Sequence, residues 1–246
     1  MKKFTQHLSI GAYHTNQYTQ VSVSSLFNFM IEAAWLHAQV MEWGYEDLKT
    51  NNMFWVLSRV YIEFENYPKW QDEIELETWS AGTDGMYAYR EFILKDQAGE
   101  VILRANTAWL ILDVESKRIF RLRELKDTFP RLEGVQVCRQ PKRIKPEGRA
   151  EELFFQPVRF SELDINRHFN SVKYIERVLD HFGIDYLNEH ELESLEVNYL
   201  KEGLAGDCLA VNTKLLNEQA FLSTIVRESD DVDLCCVKTK WRARKR

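Results

Sequence analysis

Four polar side chains stand at every second position just before an apolar pattern of helical spacing. They are Asp164, Asn166, His168 and Asn170, in the segment 161–176. Side chains of an extended segment alternate between two faces, so this spacing predicts that all four point to one side. An imidazole beside a carboxylate and amides can hold a water molecule and take its proton, because histidine titrates at about pH 6.5.

Each of these residues also has an ordinary structural role. Asn170 directly precedes the helical pattern, and a helix N-cap is the first interpretation for an asparagine in that place. An aspartate such as Asp164 is common in turns, and a single histidine before a helix is usually structural. The catalytic hypothesis therefore depends on the combination rather than on any one member.

The elements that would position these residues occur twice along the chain. In the first half, residues 24–43 form a helical pattern that is apolar on nearly all sides and is therefore expected to be buried. Serines at 22, 24 and 25 are possible N-caps, and Gly44 is a possible C-terminal cap. Strand-like runs follow at 54–65, 73–79, 86–95 and 101–113.

The second half repeats this order. Its helix is predicted from one apolar face, which consists of Ile175, Val178, Leu179 and Phe182. Gly183 is placed to end that helix. Strand-like runs follow at 192–201, 208–216, 221–227 and 234–241, the last containing Trp241.

The repeat extends to single positions, because Val60 and Asp72 correspond to Leu195 and Asp207, each 135 residues further on. One helix followed by several antiparallel strands, given twice, predicts an α+β protein in which each half is a sheet wrapped around a central helix. We expect domains at 1–138 and 150–246, joined by an extended linker at 139–149 that contains two prolines and a glycine.

The composition limits the classes of function. The 246 residues carry a net charge of −6, which argues against nucleic acid as the main partner. No apolar stretch approaches the roughly 18 residues of a membrane span, and no apolar region follows the basic start of the chain, so neither a span nor a signal peptide is predicted. The four cysteines lack metal or disulfide spacing, so we expect reduced thiols, no metal, no cofactor and a cytoplasmic location.

Three motifs resemble those of the acyl-ACP thioesterases of plants and bacteria. They are N-M-F-W-V-L-S-R at 52–59, Y-P-K-W-Q-D at 67–72 and D-I-N-R-H-F-N-S-V-K-Y at 164–174. The resemblance covers nearly the whole chain and implies a tandem double hot-dog fold. It also implies hydrolysis of fatty acyl thioesters.

The resemblance further implies a catalytic set of Asp164, Asn166, His168 and Glu202, the last within Y-L-K-E-G at 199–203. Gly203 stands where the family pattern has a cysteine, so a thiol nucleophile at that place is excluded. Cys208 lies beyond a predicted turn and is a poor substitute. Water or a carboxylate must then attack, and the sequence leaves that choice open. The amide of Asn166 and the N–H groups at the following helix start are candidates to stabilise the oxyanion.

The corresponding region of the first half, residues 20–25, has no acid or histidine, so we assign acyl binding to that half. Residues predicted to line an acyl tunnel are Phe27, Met30, Ile31 and Trp35, although aromatic residues at helical spacing are also ordinary core. An acidic acyl carrier protein needs a basic surface, for which we expect Arg143, Lys145 and Arg149 of the linker, or else residues 238–246. Both charge runs are equally well explained as solvated surface.

The leading hypothesis is an acyl-ACP thioesterase that releases free fatty acid and acyl carrier protein and so ends fatty acid synthesis. Three alternatives stay open: an acyl-CoA thioesterase with the same residues, a non-catalytic acyl-binding hot-dog protein, and a dehydratase of 3-hydroxyacyl thioesters. A tandem repeat already supplies the pairing that single hot-dog chains obtain by dimerising, so a monomer and a homodimer are both compatible with it. The sequence does not predict the preferred chain length or saturation.

Overall fold

The computed structural model describes residues 2–244 and divides the chain into two units, Met1–Pro141 (unit 1) and Lys142–Arg246 (unit 2). In each unit a helix packs against an antiparallel sheet, so the predicted α+β class is confirmed. None of the helices in this described part is long and apolar enough to cross a lipid bilayer.

Unit 1 contains two helices and six strands. They are β1 (Phe4–Ser9), α1 (Val23–Val40), α2 (Tyr45–Lys49), β2 (Met53–Phe64), β3 (Glu73–Thr83), β4 (Ala88–Asp96), β5 (Val101–Asp113) and β6 (Ile119–Phe120). The strand order is β1-β3-β4-β5-β2, all antiparallel, and β6 pairs with β5. The four strands that the sequence predicted are present. Strand β1 was not predicted, although its residues alternate between half-buried and exposed, and β6 has only two residues.

Helix α1 begins where the sequence predicts. Ser22 is its N-cap, and the Ser22 Oγ accepts a hydrogen bond from the Ser25 N–H at 3.1 Å. The buried face packs against β3 and consists of Leu26, Phe27, Met30, Ala33, Ala34 and His37. The helix ends at Val40, and the chain turns through Glu42, whose φ is 61°. The prediction that Gly44 ends α1 is therefore wrong, because Gly44 instead begins α2 and its N–H donates to Asp47 Oδ2 at 2.8 Å.

Unit 2 repeats this arrangement with two helices and five strands. They are β7 (Gln156–Pro157), α3 (Ser171–Asp180), α4 (Gly183–Glu189), β8 (His190–Tyr199), β9 (Cys208–Asn217), β10 (Ala220–Arg227) and β11 (Val232–Ala243). The strand order is β8-β11-β10-β9-β7, again antiparallel. Gly183, with φ at 73°, breaks the helix as predicted but also begins α4, which the sequence did not predict.

The segment that begins unit 2 is held along its own sheet by three polar side chains. Glu196 accepts from the Lys142 N–H at 2.6 Å, and Asn198 accepts from the Ile144 N–H at 2.8 Å. Asn212 accepts from the Ala150 N–H at 3.0 Å. Because these side chains lie on β8 and β9, residues 142–150 run in an extended conformation along the unit 2 sheet and are hydrogen-bonded to it.

Candidate active site

The segment 164–168 is a tight loop, not an extended strand. The Asp164 N–H donates to the His168 carbonyl at 2.8 Å, and the Arg167 N–H donates to the Asp164 carbonyl at 3.0 Å. Arg167 has a φ of 63°, which reverses the chain, and Leu163 pairs with Phe169 across the loop. The prediction that an extended segment presents four side chains on one face is therefore wrong.

Asp164 uses its carboxylate to hold this loop together. Its Oδ1 accepts from the backbone N–H of Asn166 at 2.8 Å and of His168 at 3.0 Å. An aspartate that binds amides two and four residues ahead fixes a turn, which is the ordinary use of this side chain in loops. Asp164 therefore places His168 through the backbone, and within residues 2–244 its carboxylate forms no hydrogen bond with the imidazole.

The same loop occurs in unit 1 at residues 16–20. Asn16 Oδ1 accepts from the Tyr18 N–H at 2.9 Å and from the Gln20 N–H at 3.3 Å, and Thr19 has a φ of 59°. The Asn16 N–H donates to the Gln20 carbonyl at 2.8 Å. Asn16 therefore corresponds to Asp164, and Gln20 corresponds to His168. The loop belongs to the repeated scaffold, while the histidine belongs to unit 2 alone.

His168 and Glu202 are far apart in sequence but face each other. A backbone bridge joins His168 to Leu204, and the Phe169 N–H donates to the Gly203 carbonyl at 2.7 Å. These contacts bring His168 Nε2 to 3.6 Å from Glu202 Oε2. The side chains are 28% and 46% exposed, so both are open to water and to a ligand. The distance is just beyond a hydrogen bond, and such contacts often shorten only when substrate is bound.

Asn166 lies at the exposed tip of the loop, next to Ile165, whose side chain is also exposed. Among the described residues the Asn166 side-chain amide makes no hydrogen bond. It is therefore available to a ligand, as the catalytic hypothesis requires.

Asn170 is the N-cap of α3, as predicted from its position. Its Oδ1 accepts from the Val172 N–H at 3.0 Å, and its carbonyl accepts from the Lys173 N–H at 2.8 Å. Two of the N–H groups proposed to stabilise an oxyanion are thus already bound. Fewer free N–H groups therefore remain at the start of α3 to stabilise an oxyanion than the sequence suggested.

Gly203 lies in a tight space, where a side chain would require its neighbours to shift by a few tenths of an ångström. A Cβ there would lie 3.0 Å from both Phe169 Cβ and Tyr174 Oη. The Gly203 N–H donates to Tyr174 Oη at 2.9 Å, so the phenol fills the place that a side chain would take. Burial raises the pKa of Tyr174, which keeps the phenol protonated. Sequence reasoning missed this residue, although it ends the motif at 164–174.

Cys208 does not replace the missing thiol. It is half-buried, and burial together with the nearby Glu228 raises its pKa. The thiolate is the nucleophilic form of cysteine, so a raised pKa makes this thiol a poor nucleophile at neutral pH.

Glu162 and Arg177 anchor the loop to α3, and sequence reasoning missed both. Arg177 Nη2 lies 2.7 Å and Nε 2.9 Å from the two Glu162 carboxylate oxygens, and the guanidinium also donates to the carbonyls of Gln156 and Pro157. Burial raises the pKa of Glu162, but the hydrogen bonds from Arg177 and from the Arg159 N–H, with the charges of both arginines, together outweigh it and leave the pKa lowered. A bidentate pair of this kind fixes orientation as well as adding free energy.

A hollow in unit 1 lies between α1, α2 and the sheet. Half of its lining residues are aromatic, and they are Trp35, Trp43, Tyr45, Trp55, Tyr89, Trp109 and Phe129. Of the four residues predicted to line an acyl tunnel, Trp35 lines this hollow. Phe27 and Met30 are wholly buried in the core, and Ile31 is not part of the hollow's wall.

Of the three linker cations proposed to bind a carrier protein, Arg149 is occupied by Asp231 and Asp233, at 3.3 and 3.2 Å. Arg143 and Lys145 are exposed. In the alternative basic stretch, Lys240 pairs with Glu193. The last two residues of that stretch, at 245 and 246, lie outside the described residues. Trp241 lies within β11, as predicted.

Comparison with known proteins gives two adjoining family matches. The model of the acyl-ACP thioesterase N-terminal domain matches residues 1–127, and that of the C-terminal domain matches residues 145–243. The chain is 26% identical over 268 residues to a chloroplastic palmitoyl-acyl carrier protein thioesterase of Gossypium hirsutum, covering 97% of this chain and 63% of that protein. It is 27% identical over 218 residues to the chloroplastic oleoyl-acyl carrier protein thioesterase 2 of Arabidopsis thaliana, covering 81% and 59%. The chain thus spans 63% and 59% of the length of these relatives.

Two solved structures share the fold. An acyl-ACP thioesterase from Bacteroides thetaiotaomicron superposes with a TM-score of 0.81 at 23% identity, and a 12:0-ACP thioesterase from Umbellularia californica with 0.84 at 19%. In both cases 98% of each chain is covered. The predicted double hot-dog fold is therefore confirmed.

Proposed function

The chain belongs to the acyl-ACP thioesterase family, and we propose that it hydrolyses fatty acyl-ACP to free fatty acid and acyl carrier protein, which ends chain elongation. The observation that supports this proposal most is the approach of His168 to Glu202, 3.6 Å apart on a water-accessible surface. The equivalent loop of unit 1 carries Gln20 in place of the histidine, so the pair is not a requirement of the fold.

In the proposed reaction, water rather than a carboxylate is the nucleophile, because attack by water needs a general base and His168 lies 3.6 Å from Glu202. A thiol does not attack, since Gly203 carries none and Cys208 is a poor nucleophile. Glu202 and His168 hold the water, and the imidazole takes its proton as the water oxygen attacks the thioester carbon. The side-chain amide of Asn166 donates to the carbonyl oxygen as negative charge develops there. The carbon–sulfur bond then breaks, and the imidazolium returns its proton to the carrier thiolate. Asp164 keeps the loop in shape throughout.

The unit 1 hollow is our proposed site for the acyl chain. Its aromatic lining removes apolar surface from water, and each buried methylene contributes about 0.8 kcal/mol. A single methylene therefore changes selectivity by less than about tenfold, so the hollow favours a range of chain lengths rather than one. Arg143 and Lys145 are our candidates for contact with the acidic carrier protein.

The test is hydrolysis of a mixed acyl-ACP panel by the purified chain, with free fatty acids identified by mass spectrometry. We expect His168→Ala to lower kcat/KM by at least about a hundredfold with the fold intact, as judged by circular dichroism. His181→Ala is the matched control, because His181 is an exposed histidine of the same unit at the end of α3. Absence of fatty acid release by the wild type, or full activity of His168→Ala, would contradict the proposal.

The same acyl group on coenzyme A tests the nearest alternative. Arg143→Glu and Lys145→Glu are expected to lower kcat/KM for acyl-ACP and to leave acyl-CoA hydrolysis unchanged. If the wild type had a higher kcat/KM for acyl-CoA than for acyl-ACP, coenzyme A and not acyl carrier protein would be the preferred carrier.

A further inference from the structure

Arg90 is a buried cation that lines the unit 1 hollow. It lies on β4, is 7% exposed, and its side chain forms part of the hollow's wall. Its Nη1 lies 2.8 Å from His37 Nδ1 and 3.2 Å from Thr78 Oγ1. Within residues 2–244 no carboxylate pairs with the guanidinium, and its Nε and Nη2 atoms make no hydrogen bond.

Neither neighbour compensates the charge of Arg90. Burial, and next the adjacent guanidinium, lowers the pKa of His37 to about 4, so this imidazole is neutral at pH 7. A guanidinium can only donate, so His37 Nδ1 accepts and the ring proton lies on Nε2. Thr78 contributes a hydroxyl oxygen and no charge. Arginine is rarely buried in this way, because an unpaired charge loses its hydration without replacement.

Among the described residues, the rest of the hollow's lining forms neither a hydrogen bond nor a cation–π contact with the guanidinium of Arg90. Apart from Arg90 it consists of aromatic, aliphatic and small residues, and the Ser80 Oγ already donates to the Pro130 carbonyl at 2.5 Å. A purely aliphatic chain in this space would leave the free N–H groups of Arg90 without an acceptor. An oxygen atom on the chain would satisfy them.

We propose that the hollow is a subsite for acyl groups that carry an oxygen substituent, and that Arg90 Nε and Nη2 donate to that oxygen. The substituent is a hydroxyl, an oxo group or a carboxylate, which share the property of accepting hydrogen bonds in an apolar setting. The inference names the substrate class of the proposed thioesterase. It rests on that proposed function only for the assumption that the bound molecule is an acyl chain. Binding itself is testable without hydrolysis.

A site with buried donors discriminates strongly against a ligand that lacks the acceptor, because the donors are then left unpaired. We therefore expect the wild type to bind oxygenated chains at least about tenfold more tightly than saturated chains of equal length. The side chains of Trp35, Trp43, Trp55 and Trp109 line the hollow, so intrinsic fluorescence reports its occupancy.

The experiment titrates the full chain with methyl esters of saturated, terminally hydroxylated and third-carbon-hydroxylated fatty acids of medium and long length. Oxo esters and the monomethyl esters of dicarboxylic acids form two further arms. Methyl esters are used so that all ligands share the same ester group, whose own oxygen atoms then contribute equally in every arm, and so that the charged carboxylate of a free fatty acid does not compete for Arg90. Arg90→Met is expected to bring oxygenated and saturated esters to equal affinity. Arg104→Met is the matched control, because Arg104 lies in the same unit, pairs with Glu65 and is not part of the hollow.

A second variant guards against loss of folding. Arg90→Gln keeps amide donors and removes the charge, so it is expected to retain preference for hydroxyl and oxo esters and to lose preference for the carboxylate. Circular dichroism of each variant checks the fold. The inference is overturned if the wild type binds saturated esters as tightly as every oxygenated ester. It is also overturned if folded Arg90→Met or Arg90→Gln weakens binding of all esters alike.

The two proposals fail separately. Arg90-dependent binding of oxygenated esters in a chain that releases no fatty acid from acyl-ACP would contradict the thioesterase and keep this inference. His168-dependent hydrolysis without any preference for oxygenated chains would support the thioesterase and contradict this inference.

Discussion

At the scale of single residues, the candidate site separates loop-holding groups from reacting groups. Asp164 binds the amides of its own loop, and Asn16 does the same in unit 1 with an amide oxygen. The loop therefore needs an acceptor at this position but not a negative charge. In the proposed reaction His168 and Glu202 carry the chemistry. The sequence showed the residue types around His168, but it did not show the geometry that brings Glu202 next to it.

This division predicts the outcome of two substitutions at one position. Asp164→Asn retains an oxygen acceptor and should keep kcat within about threefold of the wild type, whereas Asp164→Ala loses both loop hydrogen bonds and should lower it by about tenfold or more. Steady-state hydrolysis of acyl-ACP measures both. If Asp164→Asn were as inactive as His168→Ala, the carboxylate would be acting as a charge and not as a loop cap.

Gly203 supports a second prediction, based on space. Gly203→Ala places a Cβ 3.0 Å from Tyr174 Oη and Phe169 Cβ, and overpacking of this kind costs about 1–3 kcal/mol of unfolding free energy. Urea denaturation should show that Tyr174→Phe combined with Gly203→Ala is less destabilising than the sum of the two single changes, because the phenol oxygen is gone. Strict additivity would mean that the two groups do not compete for space. Gly203→Cys should lose stability without gaining activity.

His37 predicts a pH dependence of stability in unit 1. Its folded pKa of about 4 lies below the ordinary value of 6.5, so the unfolded chain takes up a proton first as the pH falls. Stability is therefore fully present above pH 6.5 and is lost between pH 6.5 and 4, by roughly 3 kcal/mol in all. His37→Gln keeps an acceptor for Arg90 and removes the titration. In chemical denaturation, the wild type should lose roughly 3 kcal/mol of stability relative to the variant between pH 6.5 and 4, and a constant difference would contradict the assignment.

At the scale of elements, the sequence predicted those features that depend on residues close together along the chain. The Ser22 and Asn170 caps were found because a cap depends on residues next to it in sequence, and the long strands were found from alternation. Gly44 and Gly183 were both assigned as helix ends. Gly44 instead caps the start of α2, and Gly183 breaks one helix and begins the next. A glycine marks a break, and tertiary packing decides which element comes after it.

Substitution of Arg177 tests how much the Glu162–Arg177 pair contributes to stability and activity by anchoring the loop. Arg177→Lys keeps the charge but cannot form the bidentate contact, so we expect a loss of about 1–3 kcal/mol in unfolding free energy and a lower kcat. Thermal unfolding and acyl-ACP hydrolysis measure the two effects. Arg159→Lys is the control, because Arg159 is exposed and bonds Glu162 through its backbone N–H. An effect of equal size in the control would contradict the anchoring role.

At the scale of the whole molecule, one scaffold is used twice, and only its copy in unit 2 carries the proposed reactive pair, His168 and Glu202. The Lys69 N–H donates to Asp72 Oδ2 at 2.7 Å in unit 1, and the Leu204 N–H donates to Asp207 Oδ2 at 2.8 Å in unit 2, 135 residues on. By the same offset, Tyr67 stands in unit 1 where Glu202 stands in unit 2. The internal repeat, the double fold and the halves' different composition were all predictable from the sequence.

The approach of Glu202 to His168 was not predictable from pattern alone. Glu202 was reached through family resemblance, because a carboxylate 34 residues further along the chain gives no periodic sign of its position. The backbone contacts of Phe169 with Gly203 and of His168 with Leu204 set that distance, and such long-range pairing is invisible to local reasoning. The lack of a carboxylate partner for the buried Arg90 was also not predictable, since it depends on which residues the fold places around the guanidinium.

The central claim is that His168 and Glu202 act as one catalytic unit, and a double-mutant cycle on acyl-ACP hydrolysis tests it most directly. Groups that work together are non-additive, so His168→Ala combined with Glu202→Gln should lower kcat/KM no more than about threefold beyond the worse single variant. The exposed pair His181→Ala and Glu189→Gln, in the same unit, should leave kcat/KM unchanged. Independent, multiplicative losses at His168 and Glu202, or full activity of either single variant, would contradict the account.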